Sequence, residues 1–427
     1  MEASGSYSSV DEACRSVSGS HSLLKRLRLI LSAELELLSS VVTSPFRKII
    51  VPLPNNEFIN TLVLGEKEKE KPALVIAHGW GSGLGFFAKN LDALSSRFRV
   101  YCFDWIGSGG SSRPRFDTRM SVEQSELFFL ERFERWTKRV GLEHEKFIFA
   151  GHSLGGYLAA IYALKHPERL HGLALISPFG IPNREQLAPE RLKSEALRPR
   201  EGNTRVVSLV ASPDSSVPTE SQGPESMTRT HGTQPMNLPP KYRILRKLIR
   251  TVWHFNVTPQ RILRWTSTVS QTWGQGLIYK YVSQRFASSL ADEQERKRFA
   301  NYLHAISVAP GSAEFAMNTL MFPGAWARAP LMDRLKSLSP KVPVIFLYGD
   351  RDWMNPAHAQ ELIERARMLG HEQMFLEIVP DAGHYLFIEN PQKFNEIFLN
   401  SVGLHLLAST KGPSIELDTL QSIPSSA

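Results

Sequence analysis

The 427 residues and 42% apolar content allow one large globular domain with an insertion. A net charge of +8 and a pI near 9.4 favour anionic partners, either an acidic lipid surface or a nucleic acid. No apolar run approaches the ~20 residues that cross a bilayer, and only Cys14 and Cys102 are present. A membrane-spanning helix and a disulfide framework are therefore excluded, and a reducing, intracellular compartment is expected.

Residues 1–44 form a predicted head in front of the core. The first 21 residues are serine-rich and are expected to be disordered. Residues 22–38 then place leucines at helical spacing with basic residues in the first turns, which predicts an amphipathic helix. Such a helix would either lie on a membrane surface or dock on the domain, and the sequence leaves both alternatives open.

Residues 45–181 are predicted to form the first part of an α/β core, because strand-like apolar runs alternate with helical patterns. The first two runs predict an antiparallel hairpin, and the later ones predict buried strands. The predicted strands lie at 47–53, 58–64, 73–78, 99–103, 147–150 and 172–177. Ser121 and Gln124 form a capping-box pattern that opens a long helix ending near Val140.

A strand, a tight turn and a helix surround Ser153 in the segment Gly151-His-Ser-Leu-Gly155. Glycines two residues on either side allow a strained serine turn to pass close to the strand and the helix. This pattern is typical of a nucleophile elbow, which lifts the hydroxyl clear of the sheet at the positive end of a helix. Ser153 is therefore the predicted nucleophile; the alternative is a glycine-rich turn without chemistry.

An oxyanion hole is predicted around the turn His78-Gly-Trp-Gly81, which follows the strand at 73–78. In a nucleophile-elbow hydrolase, this turn gives one backbone N–H and the residue after the nucleophile gives the other. The two donors here are the amides of Trp80 and Leu154, each worth about 3 kcal/mol of the barrier. His78 is interpreted as a turn histidine bonded to backbone rather than as a catalytic base.

Residues 182–340 interrupt the strand–helix alternation and are predicted to form a helical cap. The middle of this insertion, about residues 198–237, is rich in Ser, Pro, Thr and Glu and predicts a disordered loop.

The segment 240–253 is cationic, has no acidic residue and is apolar at helical spacing. This composition suits a helix at a membrane interface, and a cap helix with a solvated basic face is the alternative. The predicted membrane contacts are Arg246, Lys247, Arg250 and Trp253. No zinc-finger or RNA-recognition motif accompanies the charge, so a nucleic-acid partner is not expected.

Residues 341–407 resume the core, and residues 408–427 form a polar tail that is expected to be flexible. The first strand of this part ends at Gly349, and two acids follow it. A carboxylate at this position would orient a catalytic imidazole and stabilise its cation. Asp352 has the required spacing from the glycine and is the predicted acid, with Asp350 as the alternative.

His384 follows a late strand and a glycine, Gly383, and is the predicted general base. The chain order Ser153, Asp352, His384 is the order of the hydrolase triad. No metal-ligand cluster is evident, and this mechanism requires no cofactor, so neither a metal nor a cofactor is expected.

Several of these segments resemble a lipid-acting subfamily of the α/β-hydrolases, over roughly residues 45–405. The subfamily contains a lipid-droplet coactivator of a triglyceride lipase, lysophosphatidic acid acyltransferase-like relatives and a cardiolipin deacylase. The resemblance is carried by residues 93–100, 104–114, 151–156, 162–167, 256–260, 352–355 and 383–391. It implies a mostly parallel, eight-stranded α/β-hydrolase sheet flanked by helices, with a helical cap.

Two departures from that subfamily bear on function. The coactivator branch lacks the serine nucleophile, whereas this chain has Ser153. The acyltransferase relatives have a His-x4-Asp motif where this chain has His384 and Glu389.

The predicted function is that of a serine hydrolase that cleaves acyl esters of phospholipids or lysophospholipids at a membrane surface. The alternatives are an acyl-CoA-dependent lysophosphatidic acid acyltransferase and a lipid-surface scaffold that regulates another lipase. The expected partners are the lipid substrate and an anionic membrane or lipid-droplet surface. The expected location is cytoplasmic with peripheral membrane or lipid-droplet association, and a mitochondrial location is the alternative.

Overall fold

The centre of the protein is a mixed β-sheet, seen in a computed structural model that describes residues 6–7, 10–15, 17, 20–182, 257–323 and 326–407. The strands are β1 (Ser6–Tyr7), β2 (Phe46–Leu53), β3 (Glu57–Leu64), β4 (Ala73–Ala77), β5 (Arg99–Phe103), β6 (Phe147–His152), β7 (Leu170–Ile176), β8 (Met321–Phe322), β9 (Trp326–Ala327), β10 (Val344–Gly349) and β11 (Met374–Val379). Strands β8 and β9 form a separate antiparallel pair.

The order of the strands in the main sheet is β1-β2-β3-β5-β4-β6-β7-β10-β11. The pairs β1–β2, β2–β3 and β3–β5 are antiparallel, and every pair from β5 to β11 is parallel. The predicted eight-stranded, mostly parallel sheet is confirmed, with the two-residue β1 added at its edge. Because the carboxyl ends of parallel strands meet at one edge, the loops after β4, β6, β7, β10 and β11 lie together.

Helices flank both faces of this sheet. The α-helices are α1 (Val10–Arg15), α2 (His21–Val41), α3 (Leu91–Ser95), α4 (Val122–Arg139), α5 (Leu154–Lys165), α6 (Pro259–Val269), α7 (Gln271–Arg285), α8 (Glu293–Ser307), α9 (Ala316–Leu320), α10 (Leu331–Arg334), α11 (Ala357–Met368), α12 (Leu386–Glu389) and α13 (Pro391–Ser401). Shorter 3-10 turns span Leu84–Asn90, Pro167–Arg169, Ala313–Phe315 and Leu335–Ser337, and a π-helical turn spans Val402–Leu406. The predicted capping box of α4 is present at Ser121 and Gln124.

Two apolar layers cover the sheet, one on each face. Side chains of a strand alternate between faces, so Val75 and Leu74 of β4 belong to different layers. Helices α4, α5 and α11 bury the Val75 layer, whereas α2, α7, α8 and α13 bury the Leu74 layer. Parallel strands covered on both faces need continuous apolar sequence, which is why β4, β6 and β10 are completely buried.

Helix α2 docks on the core through its apolar face. Its residues Ile30, Leu37 and Leu38 belong to the Leu74 layer and are almost inaccessible to solvent. The docked alternative for the amphipathic helix is therefore confirmed. The head also contains β1 and α1, so the expectation of disorder is wrong for these two segments.

A buried polar network fixes α2 to the sheet. The Asn60 side-chain amide donates to Glu34 of α2 at 3.0 Å and to Asp104 at 2.7 Å, while Lys48 Nζ donates to Asn60 Oδ1 at 2.9 Å. Lys48 also forms an ion pair with Glu34. Burial raises the pKa of both the Glu34 and the Asp104 carboxyl groups. A single lysine thus compensates two carboxyl groups that water does not reach.

Along the chain, helices α6, α7 and α8 follow β7 and precede β10, which is the position of the predicted cap. The predicted disordered loop at 198–237 and the polar tail at 408–427 lie outside the described residues. Within the part of the chain that the structure covers, no helix combines the length and apolarity needed to cross a membrane.

Replacing Lys48 with methionine is expected to lower the free energy of unfolding by about 3–5 kcal/mol, because it leaves buried acids without their cation. Urea unfolding followed by circular dichroism measures the loss. The exposed Lys69→Met is the matched control. In the double variant Lys48→Met/Glu34→Met, we expect part of the loss to be recovered; additive losses would contradict the coupling.

Candidate active site

Ser153 occupies a strained turn between β6 and α5. Its backbone angles are φ 52° and ψ −116°, a conformation that non-glycine residues rarely adopt. The Ser153 N–H donates to Ile176 O at 2.9 Å, and the Ser153 carbonyl accepts the N–H groups of Tyr157 and Phe179, both at 3.0 Å. These three bonds hold the strained backbone, and the half-buried hydroxyl lies at the N-terminus of α5.

The two glycines of the turn are required by close backbone contacts. A Cβ at Gly155 would lie 2.5 Å from His78 O, and one at Gly151 would collide with Gly155 O. A side chain at Gly151 would push β6 away from α5, and one at Gly155 would push α5 away from the end of β4. The glycine spacing predicted for a nucleophile elbow therefore has a steric cause in this fold.

The structure brings Asp352 and His384 together in the loops after β10 and β11. The Nδ1 atom of His384 lies 3.3 Å from Asp352 Oδ1, and the Asp352 side chain is fully buried. Because a carboxylate only accepts, His384 Nδ1 carries the proton in this contact and Nε2 is left as the basic nitrogen. Asp350 instead accepts the N–H groups of Asp381 and Ala382, both at 3.0 Å, so it shapes the turn and does not contact His384.

His152, the residue before Ser153, contacts His384. The His152 ring donates from Nε2 to the carbonyl of His384 at 3.0 Å, and the two ring centroids are 4.7 Å apart. Among the hydrogen bonds of the described residues, none joins the Ser153 hydroxyl to His384. Serine–histidine contacts are often long in the absence of substrate and shorten when it binds.

The two predicted oxyanion donors lie next to Ser153 in the chain or in space. Leu154 is the first residue of α5, where backbone N–H groups have no acceptor within the helix. Trp80 follows Gly79, at which an added Cβ would lie 3.0 Å from the Ser153 Cβ. The Trp80 indole donates to Glu314 O at 3.1 Å, which anchors this turn to the segment after α8.

His78 serves the turn and not proton transfer. Its Nδ1–H donates to Gly79 O at 2.7 Å, and its Nε2 accepts the Trp105 N–H at 3.1 Å. Burial lowers the pKa of His78 to about 4, so the ring is neutral. The interpretation of His78 as a turn histidine is confirmed.

Two polar residues support the site; the sequence analysis missed Ser177 and named Glu389 only as the last residue of a His-x4-Glu motif. Ser177, at the end of β7, donates its hydroxyl to Asp352 Oδ2 and has a φ of 42°. Glu389 accepts the N–H groups of Gly383 and Tyr385, the neighbours of His384, both at 3.0 Å. The sequence could have indicated Ser177, because this residue follows a predicted strand that ends at the same edge of the sheet as Ser153.

The predicted membrane contacts lie outside the described residues; they are Arg246, Lys247, Arg250 and Trp253. Where the structure does describe the chain, it has no group of three His, Cys, Asp or Glu side chains placed to hold a metal ion.

Comparison with known proteins places this geometry in context. A family model described as alpha/beta hydrolase fold matches residues 72–391. A probable 1-acylglycerol-3-phosphate O-acyltransferase from Oryza sativa subsp. japonica is 35% identical, over 79% of this chain and 68% of that protein. A (lyso)-N-acylphosphatidylethanolamine lipase from Mus musculus is 27% identical, over 81% of this chain and 84% of that protein.

A solved structure with the same fold is the carboxylesterase CesB from Bacillus subtilis. Its TM-score is 0.52 at 19% sequence identity, and the match covers 88% of this chain and 98% of that one.

A fluorophosphonate probe is expected to label Ser153, and Asp352→Asn is expected to slow the labelling by about 10²–10⁴-fold, because the imidazole loses its orientation. Mass spectrometry identifies the labelled residue and gives the rate. Asp350→Asn, two residues away in the same turn, is the comparison for the alternative acid; it loses one bond to the amides of Asp381 and Ala382 but none to the imidazole, and should slow the labelling far less. Equal effects of the two variants would contradict the assignment.

Proposed function

The chain belongs to the lipid-acting group of the α/β-hydrolase family, and we propose that it is a serine hydrolase that cleaves acyl esters of phospholipids or lysophospholipids. One observation carries this proposal: the strained Ser153 turn and the His384–Asp352 pair lie at the same edge of the sheet. The lipid class is supported by similarity to a protein named as a lipase of (lyso)-N-acylphosphatidylethanolamine.

The reaction starts with attack of Ser153 Oγ on the ester carbonyl. His384 Nε2 takes the serine proton, while Asp352 holds Nδ1–H and stabilises the imidazolium. The amides of Trp80 and Leu154 bind the carbonyl oxygen as it becomes negative, at about 3 kcal/mol for each donor. His384 then protonates the leaving alcohol, which departs and leaves an acyl-enzyme on Ser153; water, activated by His384, hydrolyses it.

Acyl transfer from acyl-CoA to lysophosphatidic acid is the second candidate function, favoured by the name of the Oryza sativa relative. The first half-reaction forms the same acyl-enzyme and releases CoA thiol in place of an alcohol. The lysolipid hydroxyl then replaces water as the nucleophile that attacks the acyl group. A scaffold that only regulates another lipase needs no reactive serine, so the strained Ser153 turn supports an enzyme over that third alternative.

An anionic membrane or lipid-droplet surface is the proposed partner, and peripheral association with it is the proposed location. Support comes from an apolar surface on α6 and α7 in which Trp265 is 68% and Trp273 is 66% exposed. Other exposed apolar residues of these two helices are Ile262, Val269 and Leu277. The chain has no acidic residue between Glu225 and Asp292. Exposed tryptophan in basic, acid-free surroundings is the chemistry of an interfacial helix.

Purified protein is expected to release fatty acid from lysophospholipid, and Ser153→Ala is expected to lower the rate by at least about 10³-fold, since no acyl-enzyme forms. Mass spectrometry of the lipid products measures the rate, and the exposed Ser96→Ala is the control. Undiminished release by Ser153→Ala would rule out the serine mechanism. If the protein instead makes phosphatidic acid from acyl-CoA and lysophosphatidic acid without net hydrolysis, the second candidate is correct.

The double variant Trp265→Ser/Trp273→Ser is expected to bind liposomes of phosphatidylcholine and phosphatidylserine about tenfold or more weakly, because two indoles no longer enter the interface. Co-sedimentation measures the binding. Met368→Ser on α11 removes an equally exposed apolar side chain from another surface and serves as control. Unchanged binding by the double variant would show that this surface is covered in the full chain or faces another partner.

A further inference from the structure

In the loop that carries His384, one carboxylate binds the backbone amides on both sides of the imidazole residue. Glu389 lies at the end of α12, five residues after His384, and its side chain turns back toward the loop. Its Oε2 atom accepts the Gly383 N–H and its Oε1 atom accepts the Tyr385 N–H, each at 3.0 Å. The two backbone amides that flank His384 are thus bound to the same side chain.

The same carboxylate is bound by the cap. Arg285, the last residue of α7, donates to Glu389 Oε1 at 2.7 Å. The side chains of this pair are only 30% and 14% exposed, so water screens the interaction weakly. Ser289 adds a bond from its hydroxyl to the Glu389 carbonyl at 3.2 Å, and Phe286 packs on Tyr385 with ring centroids 5.5 Å apart.

These contacts favour a positional over a direct chemical role for Glu389 in this arrangement. Both carboxylate oxygens are used by the two loop amides and by the guanidinium. The imidazole of His384 has its own acid, Asp352. The contacts of Glu389 therefore indicate that it controls the position of the loop.

We propose that Glu389 is a positioning residue for His384. Because Arg285 binds Glu389, this positioning depends on cap helix α7 being docked on the core. The inference rests on the proposed function, since it assumes that His384 is the base. When α7 moves away, Glu389 loses its cation while partly buried, and the loop loses the partner that keeps its two amides in register. A displacement of about 1 Å in a catalytic group costs on the order of 10²-fold in rate. The docked position of the cap therefore controls the rate at which Ser153 reacts.

The test compares Arg285→Gln and Glu389→Gln with the wild-type protein. We expect kcat for a soluble short-chain ester, normalised to the number of fluorophosphonate-titrated serines, to fall about 10–100-fold while KM changes by less than about threefold. Arg285→Lys keeps the charge and should recover most of the rate. A merely structural role would lower the number of titrated serines and leave the turnover of each one unchanged.

Glu295→Gln is the matched control, because it breaks another ion pair between cap and core, Lys89–Glu295 at 2.8 Å, without touching the His384 loop. Its turnover per titrated serine should remain that of wild type. Equal loss in Glu295→Gln and Arg285→Gln would overturn the proposal, as would wild-type turnover in Arg285→Gln. If the wild-type protein is itself not labelled at Ser153, the proposed function fails, and this inference fails with it.

Discussion

The common level at which the parallel strands end is the constraint on which the rest of the structure depends. Ala77 of β4 pairs with Gly151 of β6, Ile176 of β7 pairs with His152, and Gly349 of β10 pairs with Val379 of β11. The loops that follow these pairs carry Trp80, Ser153, Ser177, Asp352 and His384. A slip of one residue in any pair would turn its side chains to the opposite face and separate the site.

The candidate site is held mainly by backbone amides and by polar residues that do not react. Ser177 binds Asp352, His152 binds the carbonyl of His384, and Glu389 binds the amides on both sides of His384. Each of these side chains comes from a different strand end or helix end. Such shared support explains how the strained serine turn and the His384 loop can keep one geometry.

Helix α7 links three parts of the molecule that have different environments. Near its start, Trp273 faces solvent; in its last turn, Val282 is buried in the core layer and Arg285 binds Glu389. The same helix therefore contacts both the surface proposed to meet lipid and the loop of the proposed base.

The sequence by itself determined the nucleophile elbow and the order in which the elbow, Asp352 and His384 follow strands along the chain. These features depend on local apolar patterns and on glycine sterics. Only the tertiary structure decided that α2 docks on the sheet, since its buried Glu34 meets Asn60 far along the chain. The same holds for Ser177 with Asp352 and for Arg285 with Glu389. Polar pairs between distant residues leave no periodic pattern in a single sequence, and their existence depends on the packing that brings them together.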